Sequence, residues 1–87
     1  MTAIEVARAA LGGVHVFRSR KGEPGQYDTK PYFTGSRHGW VIIDSFTASA
    51  ITQVYDGLNE VNREKFAGLG LVTMAHVAFK LIKKGNG

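Results

Sequence analysis

The sequence predicts an α+β domain: an N-terminal helix, a small three-stranded antiparallel sheet, then three C-terminal helices packed on one sheet face. Three observations carry that expectation. A capping-box pattern opens a short helical stretch at the N-terminus. Residues 14–43 hold short β-prone segments broken by Gly and Pro, and from Asp44 onward apolar residues recur at intervals of three and four. With 87 residues, 44% of them hydrophobic and 21% charged, the chain is expected to fold as a single small domain over residues 1–87, large enough for one modest core.

Thr2 followed by Glu5 lets hydroxyl and carboxylate satisfy backbone donors at a helix start, and Ile4, Ala7 and Leu11 then share a face. Gly12 and Gly13 end this helix, which is expected over residues 3–11. Residues 14–20 alternate, with Val14, Val16 and Arg18 on one side and His15, Phe17 and Ser19 on the other, as a strand requires. Residues 21–30 contain Gly22, Glu23, Pro24, Gly25, Gln26 and Asp28 and are read as an exposed loop. Tyr32, Phe33 and Thr34 form a second short strand in this reading, and residues 40–43 a third. Residues 35–39 would join them as a hairpin loop, with Pro31 at a strand start or on an edge because it has no N–H for a ladder.

Asp44, Ser45 and Thr47 are all competent caps for the next helix, whose stripe is Phe46, Ala50, Ile51, Val54, Tyr55 and Leu58. Asn59 can cap a shorter helix through Phe66 that carries Glu60, Arg63, Glu64 and Lys65 outward. Gly68 and Gly70 bracket a turn before a last helix with Leu71, Met74, Ala75, Ala78, Leu81 and Ile82 on one side, and residues 85–87 are expected to fray. The expected core is Phe17, Trp40, Ile42, Phe46, Val54, Leu58, Phe66, Leu69, Met74, Ala78 and Leu81.

Composition excludes several classes. The absence of cysteine rules out disulfides, thiolate zinc sites and cysteine nucleophiles, and suits a reducing cytoplasm. The opening MTAIEVARAALGG has Glu5 and Arg8 among its apolar residues and does not read as a signal peptide. No apolar run is long enough to span a bilayer, so no membrane partner is expected.

Catalytic chemistry finds little support. His15, His38 and His76 lack the three-to-five spacing that would bring two imidazoles to one metal, so no metal site is expected. Asp44, Ser45 and His76 can be named as a hydrolytic trio, but the first two are explained by helix capping. Glu60 and Glu64 share a helical face, yet Arg63 and Lys65 alternate with them as on a solvated helix. Gly68, Leu69 and Gly70 follow a helix and precede no Walker lysine, so no phosphate cradle and no cofactor is expected.

Charge is where a function becomes visible. The net charge is +4 and the pI about 9.7, and most of the excess lies in residues 18–40. There Arg18, Arg20, Lys21, Lys30 and Arg37 outnumber Glu23 and Asp28, and Tyr27, Tyr32, Phe33 and Trp40 are interleaved with them. Cations beside aromatics suit either a protein hot spot or phosphate and base contacts. The plainer account is that Trp40 and Phe33 pack in the sheet while basic residues protect its edges. The residues expected to meet a partner are Arg18, Arg20, Lys21, Lys30, Tyr32, Arg37 and His38. A second basic stripe, His76, Lys80, Lys83 and Lys84, offers a lesser phosphate-contacting surface. A homodimer burying Tyr55, Val77 or Phe79 would suit so small a core.

From Thr34 to the end of the last helix the chain resembles short uncharacterised accessory proteins encoded by phages of actinomycetes. The likeness spans roughly residues 34–84 and rests on the WVIIDSFTA strand-to-helix junction and the MAHVAFKLI helix. It carries no active-site motif. It implies a small accessory protein of a phage or mobile element in the cytoplasm of a bacterial host. The function expected is non-enzymatic binding of a host or phage protein through the basic, aromatic loops, with nucleic-acid binding through the same loops as the alternative.

Overall fold

The computed structural model describes residues 1–36 and 38–85, with side-chain surroundings up to residue 82. It runs α1 (Ala3–Ala10), β1 (His15–Ser19), β2 (Tyr27–Pro31), β3 (Val41–Ile43), α2 (Ser45–Gly57), α3 (Glu60–Ala67) and α4 (Leu71–Gly85). This is the expected α+β order of one helix, three antiparallel strands and three helices. Gly85 closes α4, and the other two residues expected to fray lie outside the described chain. Among the described residues no helix is long and apolar enough to cross a membrane.

Capping chemistry sets the helix starts. At α1 the Thr2 N–H donates to Glu5 Oε1 (2.8 Å) and the Glu5 N–H to Thr2 Oγ1 (3.4 Å), the reciprocal pair read from the sequence. Of the three candidates before α2, Asp44 is the cap, accepting from the Thr47 N–H at 2.8 Å. Asn59 caps α3 by accepting from the Asn62 N–H at 2.9 Å. The far end of α2 is finished from α3: Arg63 turns back, its Nε donating to the Tyr55 carbonyl (2.9 Å) and Nη2 to the Asp56 carbonyl (2.8 Å). Arg63 therefore does not face outward beside Glu60, Glu64 and Lys65 as expected, because the unsatisfied carbonyls of a helix C-terminus attract a cation more strongly than solvent-screened carboxylates do.

The strand layout departs from the reading of residues 21–34. The second strand is Tyr27–Pro31, and Tyr32, Phe33 and Thr34 lie in a turn after it. A tight connection makes this possible. Gly22 and Gly25, both at φ +79°, let Glu23 N–H bond to the Arg20 carbonyl and Gln26 N–H to the Glu23 carbonyl, and the Arg20 N–H to the Gln26 carbonyl closes the hairpin. β1 is central in the order β2-β1-β3 and pairs antiparallel with both neighbours, Phe17 standing opposite Thr29 and Val41. β2 and β3 therefore run parallel to each other and cannot be joined by a hairpin. Residues 32–36 and 38–40 belong to a crossover above β1 instead of a hairpin loop. Pro31 ends the edge strand β2 rather than beginning a strand.

The core lies between the helices and one sheet face. Phe17, Tyr27 and Ile43 meet Val6, Ala7, Ala10, Ala48, Ile51, Phe66, Leu71, Met74 and Ala78. Alanine on α1 and α2 lets these two helices approach closely, and α2 also packs along α4. Of the expected core, Phe17, Phe66, Met74 and Ala78 are buried, and Val54 and Leu58 pack against its margin. Phe46, Ile42, Leu69 and Leu81 are exposed, as is Leu11 on α1, and Trp40 is half-buried outside this cluster. Phase is the reason. Ile43 points inward, so its neighbour Ile42 points out, and an α4 stripe through Leu71, Met74 and Ala78 continues at the half-buried Ile82 and leaves Leu81 outside.

These caps predict an acid sensitivity. The backbone N–H of Thr47 holds the Asp44 carboxyl below its ordinary pKa, the Thr2 backbone does the same for Glu5, and the Arg8 guanidinium for Asp56. A carboxyl with a lower pKa folded than unfolded stabilises the fold fully above the unfolded value of about 4, and that contribution is lost as pH falls through the folded value. Asp44→Asn, which retains an acceptor but no titrating proton, should flatten the acid limb of a urea-midpoint profile. Asp44→Ala should lower stability at neutral pH by about 1 kcal/mol. An Asn variant as acid-sensitive as the parent would remove Asp44 from this account.

Candidate functional site

The sheet face turned away from the helices carries the residues of interest. Strand alternation puts Phe17, Tyr27 and Ile43 on the helix side and leaves Val16, Arg18, Asp28, Lys30 and Ile42 on the outer side. Trp40, one residue before β3, joins them: its ring lies 4.4 Å from the Arg18 guanidinium carbon and 4.6 Å from Lys30 Nζ. Lys30 belongs to β2 on the far side of β1, so indole and lysine meet above the central strand. Lys30 Nζ also donates to the Ser36 carbonyl at 2.6 Å and ties the crossover to the sheet. Val16 is wholly buried on this face, although it belongs to no part of the helix-side core.

The cations here are already partnered. Arg18 stands directly opposite Asp28 in the register and its Nε donates to Asp28 Oδ2 at 3.4 Å. Arg20 Nε lies 3.1 Å from Glu23 Oε2 and 3.4 Å from Asp28 Oδ1. These pairs are solvent-exposed and contribute little to stability, but they orient both guanidinium groups along one edge of the face. Lys21 is exposed in the hairpin turn. Tyr32 is half-buried where the crossover leaves β2, its N–H donating to the Val14 carbonyl at 3.0 Å. His38 is exposed, its N–H donating to Ser36 Oγ at 3.3 Å, and Arg37 lies outside the described residues.

The structure thus brings Arg18, Lys30 and Trp40 together, places Arg20 and Lys21 at the hairpin end, and sets Tyr32 and His38 on the crossover. Phe33 is exposed on the same loop and is no core residue. Tyr27 does not belong with the surface aromatics. Its ring packs edge-on to Phe17 at 5.9 Å and its hydroxyl accepts the Leu71 N–H at 3.1 Å. The outer residue that the sequence reading passed over is Asp28, which holds both arginines. The alternation Tyr27, Asp28, Thr29, Lys30 was its signal, hidden among turn formers.

Asp44 is occupied as a cap, while His76 is exposed on α4 and lines a pocket of about 130 Å³ with Thr47 and apolar residues of β3 and α4. An open cleft of about 290 Å³ between β1 and the start of α4 has Arg18 and Tyr27 as its titratable lining, and no carboxylate or histidine lines it. Among the described residues no group of His, Cys, Asp and Glu is placed to hold a metal. On α4, His76 and Lys80 are exposed, and the side-chain surroundings of Lys83 and Lys84 lie outside the description. Comparison with protein-family models, curated proteins and solved structures finds no match.

Proposed function

We propose that this chain is a non-enzymatic interaction module, an accessory protein of a phage or mobile element in a bacterial host cell, that binds a host or phage protein through the outer sheet face and its crossover. The observation that carries the reading is the Trp40 ring in contact with both Arg18 and Lys30 on the sheet face turned away from the helices. A half-buried indole pre-positioned by cations, with Phe33 and Ile42 exposed nearby in the chain, has the composition of a protein hot spot and a small entropy loss on binding. The nucleic-acid alternative has weaker support, because Arg18 and Arg20 already face Asp28 and Glu23, leaving fewer cations to release counterions from phosphates.

Affinity capture from bacterial lysate, with and without nuclease, tests this. A combined Arg18→Ser, Arg20→Ser, Lys21→Ser and Arg37→Ser variant should keep the circular dichroism of the parent and weaken partner binding by about tenfold or more. Unchanged binding would reassign the surface. Loss of capture on nuclease treatment, together with steeply salt-dependent anisotropy on a labelled oligonucleotide, would favour nucleic acid instead.

A further inference from the structure

The two edges of the sheet differ in how they are finished. β2 is closed at its start by the chain itself, where the Met1 ammonium donates to the Tyr27 carbonyl at 3.0 Å and the Tyr27 N–H to the Met1 carbonyl at 2.7 Å. Asp28, Lys30 and Pro31 supply the charge and the missing donor that discourage further pairing along it. β3 has none of these devices. It reads Val41, Ile42, Ile43, is paired with β1 on one side, and is the terminal strand of the described sheet.

The surface around that edge is apolar. Val41, Ile42, Val72 and His76 line one pocket, so the α4 stripe of Val72, His76 and Phe79 runs beside β3. Phe79 stacks on Phe46 at 5.8 Å, at the start of α2 just after the strand. Exposure is 48% for Val41, 56% for Ile42, 73% for Phe46, 51% for Val72 and 37% for Phe79. Together these offer on the order of 500 Å² of apolar surface, with Ile42 on the outer flank of the edge and Val41 and Val72 on its helix flank. Two such patches with their polar margins reach the roughly 1,200 Å² at which specific interfaces begin.

We propose that β3 is the interface of a homodimer, in which two copies pair Val41–Ile43 antiparallel about a two-fold axis at Ile42 and continue the sheet to six strands. The segment can pair with itself: Ile42 meets its exposed counterpart on the outer side, while Val41 stands opposite Ile43, whose side chain is already buried in its own core. None of Val41, Ile42, Phe46, Val72 and Phe79 is charged, so the pairing sets no like charges together despite the net charge of +4. An axis perpendicular to the sheet keeps both helical layers on one side and both Trp40 clusters on the other, giving a doubled outer face. This interface differs from the one expected around Tyr55 and Val77, which pack against the core. Only Phe79 is common to both.

Sedimentation equilibrium of the purified full chain, from micromolar to millimolar concentration, tests the proposal. The expected mass is twice the 9.5 kDa of one chain. Ile42→Lys places two ammonium groups at the axis and should raise the dimer dissociation constant by more than about tenfold. Phe46→Ser should weaken the dimer in the same direction, and it carries the test should Ile42→Lys fail to fold. Val61→Lys, at an exposed apolar position on α3, should dimerise as the parent does. A single-chain mass at every concentration, a folded Ile42→Lys or Phe46→Ser variant as dimeric as the parent, or loss of the dimer in Val61→Lys would overturn it. No partner enters the measurement, so its failure would leave the binding role of the outer face standing.

Discussion

Tyr27→Ala is expected to remove about 4 kcal/mol of stability, because it deletes a buried aromatic ring and leaves a buried donor without its acceptor. Tyr27 joins three parts of the fold. Its backbone holds the Met1 end, its ring meets Phe17 edge-on, and its hydroxyl accepts the N–H of Leu71 at the first turn of α4. Gly70, at φ +86°, brings the chain against that hydroxyl, where an added Cβ would stand 3.6 Å from it. Tyr27→Phe separates the contributions: the ring remains, the acceptor is lost, and the expected loss is about 1 to 3 kcal/mol. Urea denaturation of both variants gives the totals. Amide exchange at Leu71 should accelerate in Tyr27→Phe beyond the global change. Equal stability of Tyr27→Phe and the parent would show that water replaces the hydroxyl at no cost.

Ile51→Ala should lower stability by about 3 kcal/mol. Ile51 has no exposed surface and belongs to the cluster shared by α1, α2 and α4, where alanines already fill the close helix approach and leave little freedom to collapse into a void. For a domain of this size the total is about 4 to 13 kcal/mol, so the substitution removes a large share of it. Ile51→Val, which deletes one methylene, should lose about 1 kcal/mol. A loss below 1 kcal/mol in the Ala variant would mean that the neighbouring helices close the space. The contrast with Phe46 is instructive, since that larger residue is mostly exposed and its truncation should leave the monomer nearly as stable.

The candidate site was legible as composition and illegible as geometry. Excess positive charge and interleaved aromatics in residues 18–40 follow directly from the sequence. Which cation meets which carboxylate does not: Arg18 faces Asp28 because a seven-residue connection closes the hairpin in that register. Tyr27 and Trp40 looked equivalent in the sequence, as aromatics among turn formers and cations. One became a core residue and the other a surface anchor, because alternation along β2 turns Tyr27 to the helices while Trp40, just before β3, lies over the outer face beside Arg18 and Lys30.

What the sequence determined by itself is local: the caps at Thr2, Asp44 and Asn59, the helical periods after Ser45, the alternation of β1, and hence the order of elements. Each depends on groups within a few residues of one another, so neighbouring side chains suffice to specify it. Tertiary structure alone decided that β1 is central, that the connection from β2 to β3 crosses over it, and that β3 is left as an open apolar edge. Strand pairing joins residues far apart in the chain, and loop closure differs by only a fraction of a kcal/mol between alternative partners. The choice therefore fell to burial: the layout that places Phe17, Tyr27 and Ile43 against the helices also delivers Trp40, Arg18 and Lys30 to the outer face.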